Sequence, residues 1–317
     1  MFLSKKVEQM YKSRVFTRYD DSGLVKYFTN EDFEGLNAVP YSFKSSKGHT
    51  LYGNFYSYDN YDKDRLIIFE HGMGGGHLSY MKEIEILCKN GYLVFSYDHT
   101  GCMKSGGENT NGFSQSLCDL DDCLKALKAD ENINTSNVCV IGHSWGGFSA
   151  LNICALHPDI KKTVVLSGFC SVEKMIEQFT PGIAKIFRKN IYQIEKNANP
   201  YYVDFNGIDS LKNSNTKALL IYSDNDTLVT KKTHYDELYS ALKDNPNVEF
   251  LLETNKGHNA NYTHYAVEYL STLGERIKKS GDLKTPEEKE KFKNSFDWDK
   301  MTAQDEKVWK KILDFLK

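Results

Sequence analysis

Six short, continuously apolar runs constrain this chain more than anything else in it: residues 66–70, 93–97, 138–141, 163–167, 218–222 and 248–252, each ending in small or polar residues. Strands buried on both faces read this way, because a parallel sheet covered by helices leaves neither face to water. Helical patterns lie between them at 80–89, 116–129, 145–156 and 231–243. Two more strand-like segments, 41–45 and 50–58, come first. The second alternates Leu51, Gly53 and Phe55 against Tyr52, Asn54 and Tyr56, as a half-exposed strand does. Regular alternation of strand and helix predicts a three-layer α/β sandwich, its eight-stranded sheet mostly parallel with antiparallel leading strands.

With no internal repeat and no low-complexity linker, residues 1–317 read as one domain. Two stretches break the alternation. Residues 169–215 hold helix-like, aromatic-rich segments at 172–179 and 183–194, and are expected to form a short cap at the carboxyl edge of the sheet. Residues 259–300 open with a tyrosine-dense helical run (Tyr262, Tyr265, Tyr269) and contain Thr285-Pro286-Glu287-Glu288, a helix start with proline at the first position. A last amphipathic helix at 305–315 carries Val308, Trp309, Ile312 and Leu313 on one face and reads as sheet-packing. Residues 1–38 form a polar-aromatic stretch to which no element is assigned.

A net charge of −3 gives no electrostatic reason to expect nucleic acid or anionic membrane as a partner. The seven cysteines (Cys88, Cys102, Cys118, Cys123, Cys139, Cys154, Cys170) form no CxxC pair and sit largely in apolar runs, so they read as reduced core residues. No apolar leader follows Met1, and no run approaches the ~20 apolar residues that span a bilayer. The expectation is a cytoplasmic protein without metal or organic cofactor. Nothing in the sequence specifies an oligomeric state.

The chemistry centres on the run at 138–141 followed by Gly142-His143-Ser144-Trp145-Gly146 and a helical pattern. Strand, Gly-x-Ser-x-Gly and helix together make the context of a nucleophile elbow. There the serine backbone is strained, and side chains at Gly142 and Gly146 would collide with neighbouring chain. A serine hydroxyl needs a base to take its proton and an acid to orient that base. Both follow in the order Ser…Asp…His: Asp226 after the run at 218–222, and His258 after the run at 248–252. Asp224 is a rival for the acid, but the spacing to Val229 favours Asp226. His71 and His143 read as structural, the first bonding backbone and the second filling the variable elbow position. Cys102 has no adjacent base, Gly72–Gly76 lacks the GK[ST] ending of a P-loop, and His71 with His77 lacks further zinc ligands.

Four motifs in order make the chain resemble the α/β-hydrolase superfamily, in the serine-hydrolase branch with monoacylglycerol-lipase-like and serine-aminopeptidase-like members. They are His71-Gly72-Met73-Gly74-Gly75 (HGxxG), the elbow Gly142 to Gly146, Asp226-Thr227-Leu228-Val229 (D-x-x-V), and Gly257-His258. The resemblance implies the α/β-hydrolase fold, with Ser144 as nucleophile, His258 as base and Asp226 as its orienting acid. It also implies an oxyanion hole made by the backbone N–H groups of Met73 and Trp145. The family's D-x-R-G-x-G-x-S stretch is altered here: Thr100 replaces the arginine and Met103 the second glycine. The expected activity is hydrolysis of carboxylic esters of small to medium acyl chain through an acyl-enzyme. Peptidase or amidase action, a monoacylglycerol-type lipase, acyl transfer and a non-catalytic scaffold are the alternatives.

Overall fold

The apolar runs become the strands of one sheet: β1 (Asn37–Lys44), β2 (Thr50–Ser57), β3 (Leu66–Glu70), β4 (Leu93–Tyr97), β5 (Val138–His143), β6 (Lys162–Leu166), β7 (Lys217–Ser223) and β8 (Val248–Glu253). The computed structural model describes residues 2–317, with side chains from Lys5 onward; Met1, before the charged N-terminal run, lies outside them. Strand order is β1-β2-β4-β3-β5-β6-β7-β8. β2 runs antiparallel to both its neighbours, and every other pairing is parallel. The expected mostly parallel eight-stranded α/β-hydrolase sheet is what forms.

Because successive side chains on a strand point to opposite faces, each central strand feeds two cores. Leu66, Ile68, Val140, Val165 and Leu220 pack on one face with α3 (Gln115–Ala129), α4 (Trp145–Asn152) and α8 (Asp236–Leu242). Ile67, Phe69, Ile141, Val164 and Ile221 pack on the other with α2 (Met81–Lys89) and α12 (Glu306–Leu316). In α12 Val308, Trp309, Ile312 and Leu316 are buried, so this helix covers the sheet as its apolar face predicted.

The remaining helices frame these layers. α5 (Val172–Phe179), α6 (Arg188–Ala198) and α7 (Gly207–Lys212) lie between β6 and β7, with a 3₁₀ turn at Gly182–Phe187 dividing the expected second helix. α9 (His264–Ser280), α10 (Pro286–Lys293) and α11 (Trp298–Met301) follow β8. α9 starts at its Thr263 cap rather than at 259, because residues 259–262 are spent in a turn. α10 carries the expected Thr285/Glu288 capping box. The 145–156 segment ends in a 3₁₀ turn (Ile153–Ala155), and 231–243 opens with a π turn (Lys231–Tyr235).

α1 (Phe2–Val15) forms where no element was assigned. Among its described side chains only Tyr11 and Val15 are buried, with Val7 partly covered, amid lysines and glutamate. What holds it is tertiary: the buried Tyr11 hydroxyl donates to Glu195 of α6 at 2.7 Å. Beside that contact Phe113 meets Tyr11 and Phe169 edge to face, and Phe148 stacks on Phe169 at 4.6 Å between ring centres.

Candidate active site

β5 passes into α4 through Ser144, whose backbone sits at φ 55°, ψ −109°. A side chain at positive φ costs roughly 1–2 kcal/mol, so surrounding structure must enforce it. The two elbow glycines do so by allowing close approach. A Cβ on Gly142 would lie 2.1 Å from the Gly146 carbonyl oxygen, and one on Gly146 would lie 2.3 Å from that of Glu70. Ser144 N–H donates to Leu166 O of β6 at 2.8 Å. Trp145 is the first residue of α4, where a main-chain N–H has no partner within the helix. Its indole N–H is fixed on Phe113 O at 2.6 Å. Met73 lies half-buried in the loop after β3, beside Gly74 at φ 104°.

The loops after β7 and β8 are clasped together. Asp226 Oδ1 accepts the N–H groups of Leu228 and Val229 at 2.8 and 3.0 Å, while Oδ2 meets His258 Nδ1 at 2.7 Å. A carboxylate only accepts, so Nδ1 carries the proton and Nε2 presents a lone pair. Burial pushes the Asp226 carboxyl up, but the bond and attraction to His258 and the two amides outweigh it and hold it below its ordinary value. Asp224 is exposed and its carboxylate takes Asn255 N–H at 2.8 Å instead of His258. Asn225 Oδ1 accepts Gly257 N–H at 2.7 Å, and Ser223 Oγ accepts Lys256 N–H at 2.9 Å. The structure thus joins Asp226 to His258 directly. Between Ser144 Oγ and His258 Nε2 no hydrogen bond is formed among the described residues; contacts of this kind often tighten only with substrate bound.

The other histidines are engaged elsewhere. His71 Nδ1 bonds Gly72 O at 2.7 Å and its Nε2 accepts His99 N–H at 2.9 Å; burial, with charge on His99, pulls it down to about 3. That is the backbone-bonding role expected of it. His77 Nδ1 meets Asp98 at 2.7 Å and its Nε2 the Tyr56 hydroxyl at 3.0 Å. A cavity of about 580 Å³ opens against the 76–78 end of the glycine-rich loop, walled by Tyr27, Tyr41, Tyr52, His77 and Met103; neither Ser144 nor His258 lines it.

Sequence reasoning missed a buried charge cluster. His99 lies between Asp119 (3.2 Å from Nδ1) and Glu70 (3.3 Å from Nε2), all three fully enclosed. The Glu70 contact is close enough for attraction but not aligned as a hydrogen bond. Burial pushes Glu70 up to about 7 despite His99 and Tyr97. Burial would lower His99, yet Glu70 and Asp119 raise it. Asp119 also accepts from Thr100 N–H and Oγ–H at 2.8 and 2.7 Å, so it holds the loop where Thr100 stands for the family arginine. Met103, in place of the glycine, adopts φ 44°, a glycine conformation kept without glycine. The available signal was a carboxylate, Asp119, among the apolar Leu117, Leu120, Cys123 and Leu124 of a helical pattern.

The fold and the elbow define an α/β-hydrolase. The family described as serine aminopeptidase, S33, matches residues 61–253, more than half of the chain, and the chain belongs to that family. The match stops short of His258. Among curated proteins, the chain is 28% identical over 116 residues to a cis-3-alkyl-4-alkyloxetan-2-one decarboxylase of Shewanella oneidensis, covering 36% of each chain. It is 26% identical over 126 residues to a proline iminopeptidase of Heyndrickxia coagulans, covering 39% of this chain and 42% of the other. The alignments therefore span well under half the length of these relatives. An esterase of Pyrococcus furiosus superposes with TM-score 0.60 at 24% identity, over 83% of this chain and 98% of its own. An acetyl xylan esterase of Paenibacillus sp. R4 superposes at 0.57 and 14% identity, over 81% and 88%. At these identities the structural likeness concerns the fold. No helix among the described residues is long and apolar enough to cross a membrane.

Proposed function

We propose that the protein hydrolyses carboxylic esters of small to medium acyl chain, using Ser144 as nucleophile, His258 as general base and Asp226 as the acid that orients it. Ser144 Oγ adds to the acyl carbon while His258 Nε2 takes its proton. The charged imidazole is stabilised by Asp226, and the oxyanion by the N–H groups of Trp145 and Met73. Removing one such donor typically costs ~2.7–4 kcal/mol of barrier. Collapse of the intermediate returns the proton to the leaving alcohol. Water, activated by the same His258, then cleaves the acyl-enzyme and restores Ser144.

The observation that carries this reading is the 2.7 Å Asp226–His258 bond, with Asp226 oriented by two backbone amides, two loops from a serine held at positive φ. A series of p-nitrophenyl esters from acetate to palmitate, with Ser144→Ala alongside, tests it. Turnover lost in the variant supports a serine mechanism; an optimum at palmitate shifts the reading to a lipase of monoacylglycerol type. Undiminished turnover in Ser144→Ala refutes the serine role.

A peptidase reading is favoured by the family's description and needs an acid free to hold a substrate N-terminus. Of the three cap acids suited by position, Glu177 pairs with Arg188 at 3.4 Å and Asp204 with Lys196 at 3.5 Å. Glu173 forms no ion pair among the described residues and borders a cavity of about 370 Å³. Hydrolysis of prolyl or other aminoacyl amides, lost in Glu173→Gln with ester hydrolysis intact, would replace the esterase reading.

A further inference from the structure

Three loops meet at the site, and one hydrogen-bonded relay connects them. The Tyr80 oxygen accepts Gly72 N–H at 3.0 Å and contacts His143 Nδ1 at 2.8 Å. His143 Nε2 lies 2.9 Å from the main-chain carbonyl of His258. A carbonyl only accepts, so Nε2 must carry the imidazole proton; Nδ1 must then accept, and the Tyr80 hydroxyl must donate to it. The direction of every bond is fixed: Gly72 N–H to Tyr80, Tyr80 O–H to His143, His143 Nε2–H to His258 C=O.

The packing leaves this arrangement little freedom. A Cβ on Gly72 would lie 2.7 Å from the Tyr80 hydroxyl and 3.3 Å from both His143 Nδ1 and Ser144 Cβ. His143 is buried, its ring centre 4.7 Å from that of His258. Burial, and beyond it the neighbouring His258, draws it down to about 3, so it stays neutral. A charged ring there would repel the imidazolium that His258 becomes.

We propose that Tyr80 and His143 are positioning residues, which set His258 from its main-chain side while Asp226 sets it from its ring. Gly72 immediately precedes Met73, and His143 immediately precedes Ser144. The relay therefore ties the oxyanion loop, the nucleophile turn and the base loop into one register. This rests on the proposed serine mechanism, but the relay has its own readout.

His143→Leu removes the donor to His258 at similar bulk. His143→Gln keeps an N–H at the same reach. Tyr80→Phe deletes only the hydroxyl. With p-nitrophenyl butyrate, His143→Leu and Tyr80→Phe should lower kcat about tenfold, equivalent to ~1.4 kcal/mol, with KM within twofold. His143→Gln should recover to within about threefold of wild type. Long-range ¹H–¹⁵N spectra should show wild-type His143 as a fixed Nε2–H tautomer from pH 5 to 9 and a tautomer mixture in Tyr80→Phe. An Nδ1–H tautomer in wild type, a loss confined to KM, or Leu and Gln variants alike in kcat would overturn the proposal. Wild type that neither turns over esters nor reacts with a fluorophosphonate, yet shows the fixed tautomer, refutes the proposed function and leaves the relay standing. If a variant unfolds, the wild-type tautomer still decides.

Discussion

Asp226→Asn is the change whose outcome the structure specifies most closely. An asparagine there must choose which of its two terminal atoms faces which partner. The Oδ1 site receives the Leu228 and Val229 N–H groups at 2.8 and 3.0 Å, so the amide oxygen belongs there. Its NH₂ then occupies the Oδ2 site, 2.7 Å from His258 Nδ1. Two donors cannot face each other, so the proton moves to Nε2, where it blocks acceptance of the Ser144 proton. Loss of the correct tautomer in a Ser-His-Asp centre costs about 10⁴ in kcat, or ~5.4 kcal/mol of barrier. The two amides keep their acceptor, so the fold should survive with KM little changed. Initial rates on p-nitrophenyl butyrate read the effect directly, beside Asp224→Asn, expected within about twofold of wild type. An Asp226→Asn enzyme retaining a tenth of wild-type kcat, or an Asp224→Asn enzyme losing as much, would refute the assignment.

Three more outcomes follow from the packing. Gly142→Ala places a methyl 2.1 Å from a backbone oxygen, and a thermal melt should show a loss of about 3 kcal/mol or more. Trp309→Ala, which empties the α12–sheet contact and strips the Gln304 oxygen of its 2.8 Å indole donor, should cost about 3–5 kcal/mol in a urea titration. Glu195 is fully enclosed, and burial pushes it up to about 7 despite the Tyr11 hydroxyl and the Phe113 N–H. A folded-state value above the unfolded one stabilises below the ordinary carboxyl range, and that stability is lost as pH rises through about 7. Melting points between pH 5 and 8 should therefore fall in wild type by more than in Glu195→Gln; parallel slopes would contradict the buried-acid account.

The parallel sheet was legible because its strands are buried on both faces, which forces uninterrupted apolar runs such as 66–70 and 163–167. β1 was read short, at 41–45, because an edge strand carries little burial: of its residues only Phe43 is buried, and Pro40 is tolerated at an edge. α1 was invisible for the opposite reason. Among its described side chains two are buried, too few to make a periodic stripe, and its anchor, Glu195, lies 184 positions away from Tyr11. The proposed nucleophile, acid and base, Ser144, Asp226 and His258, stood out as motifs because each sits in a fixed local turn. Tyr80 was read as the first residue of a helix, and nothing local distinguishes a tyrosine that reaches 63 positions away to His143.

That division has a physical origin that bears on how the site is held. A motif records what one turn requires of its own residues: glycines at 142 and 146 for close approach, Asp226 next to the amides that orient it. Register between turns is recorded nowhere in a single segment. Here it rests on side chains that bond the backbone of another loop: Ser223, Asp224 and Asn225 each accept an N–H from residues 255–257, and His143 takes the next carbonyl, that of His258. Four contacts on four consecutive residues tie the base loop to its neighbours. In the proposed mechanism, this clasp is what aims His258 at the serine hydroxyl. Asn225→Ala, remote from the chemistry, should for this reason lower kcat severalfold, about one hydrogen bond's worth, near 1 kcal/mol, with unchanged KM. A change in KM alone would mean that the clasp shapes the pocket instead of aiming the base.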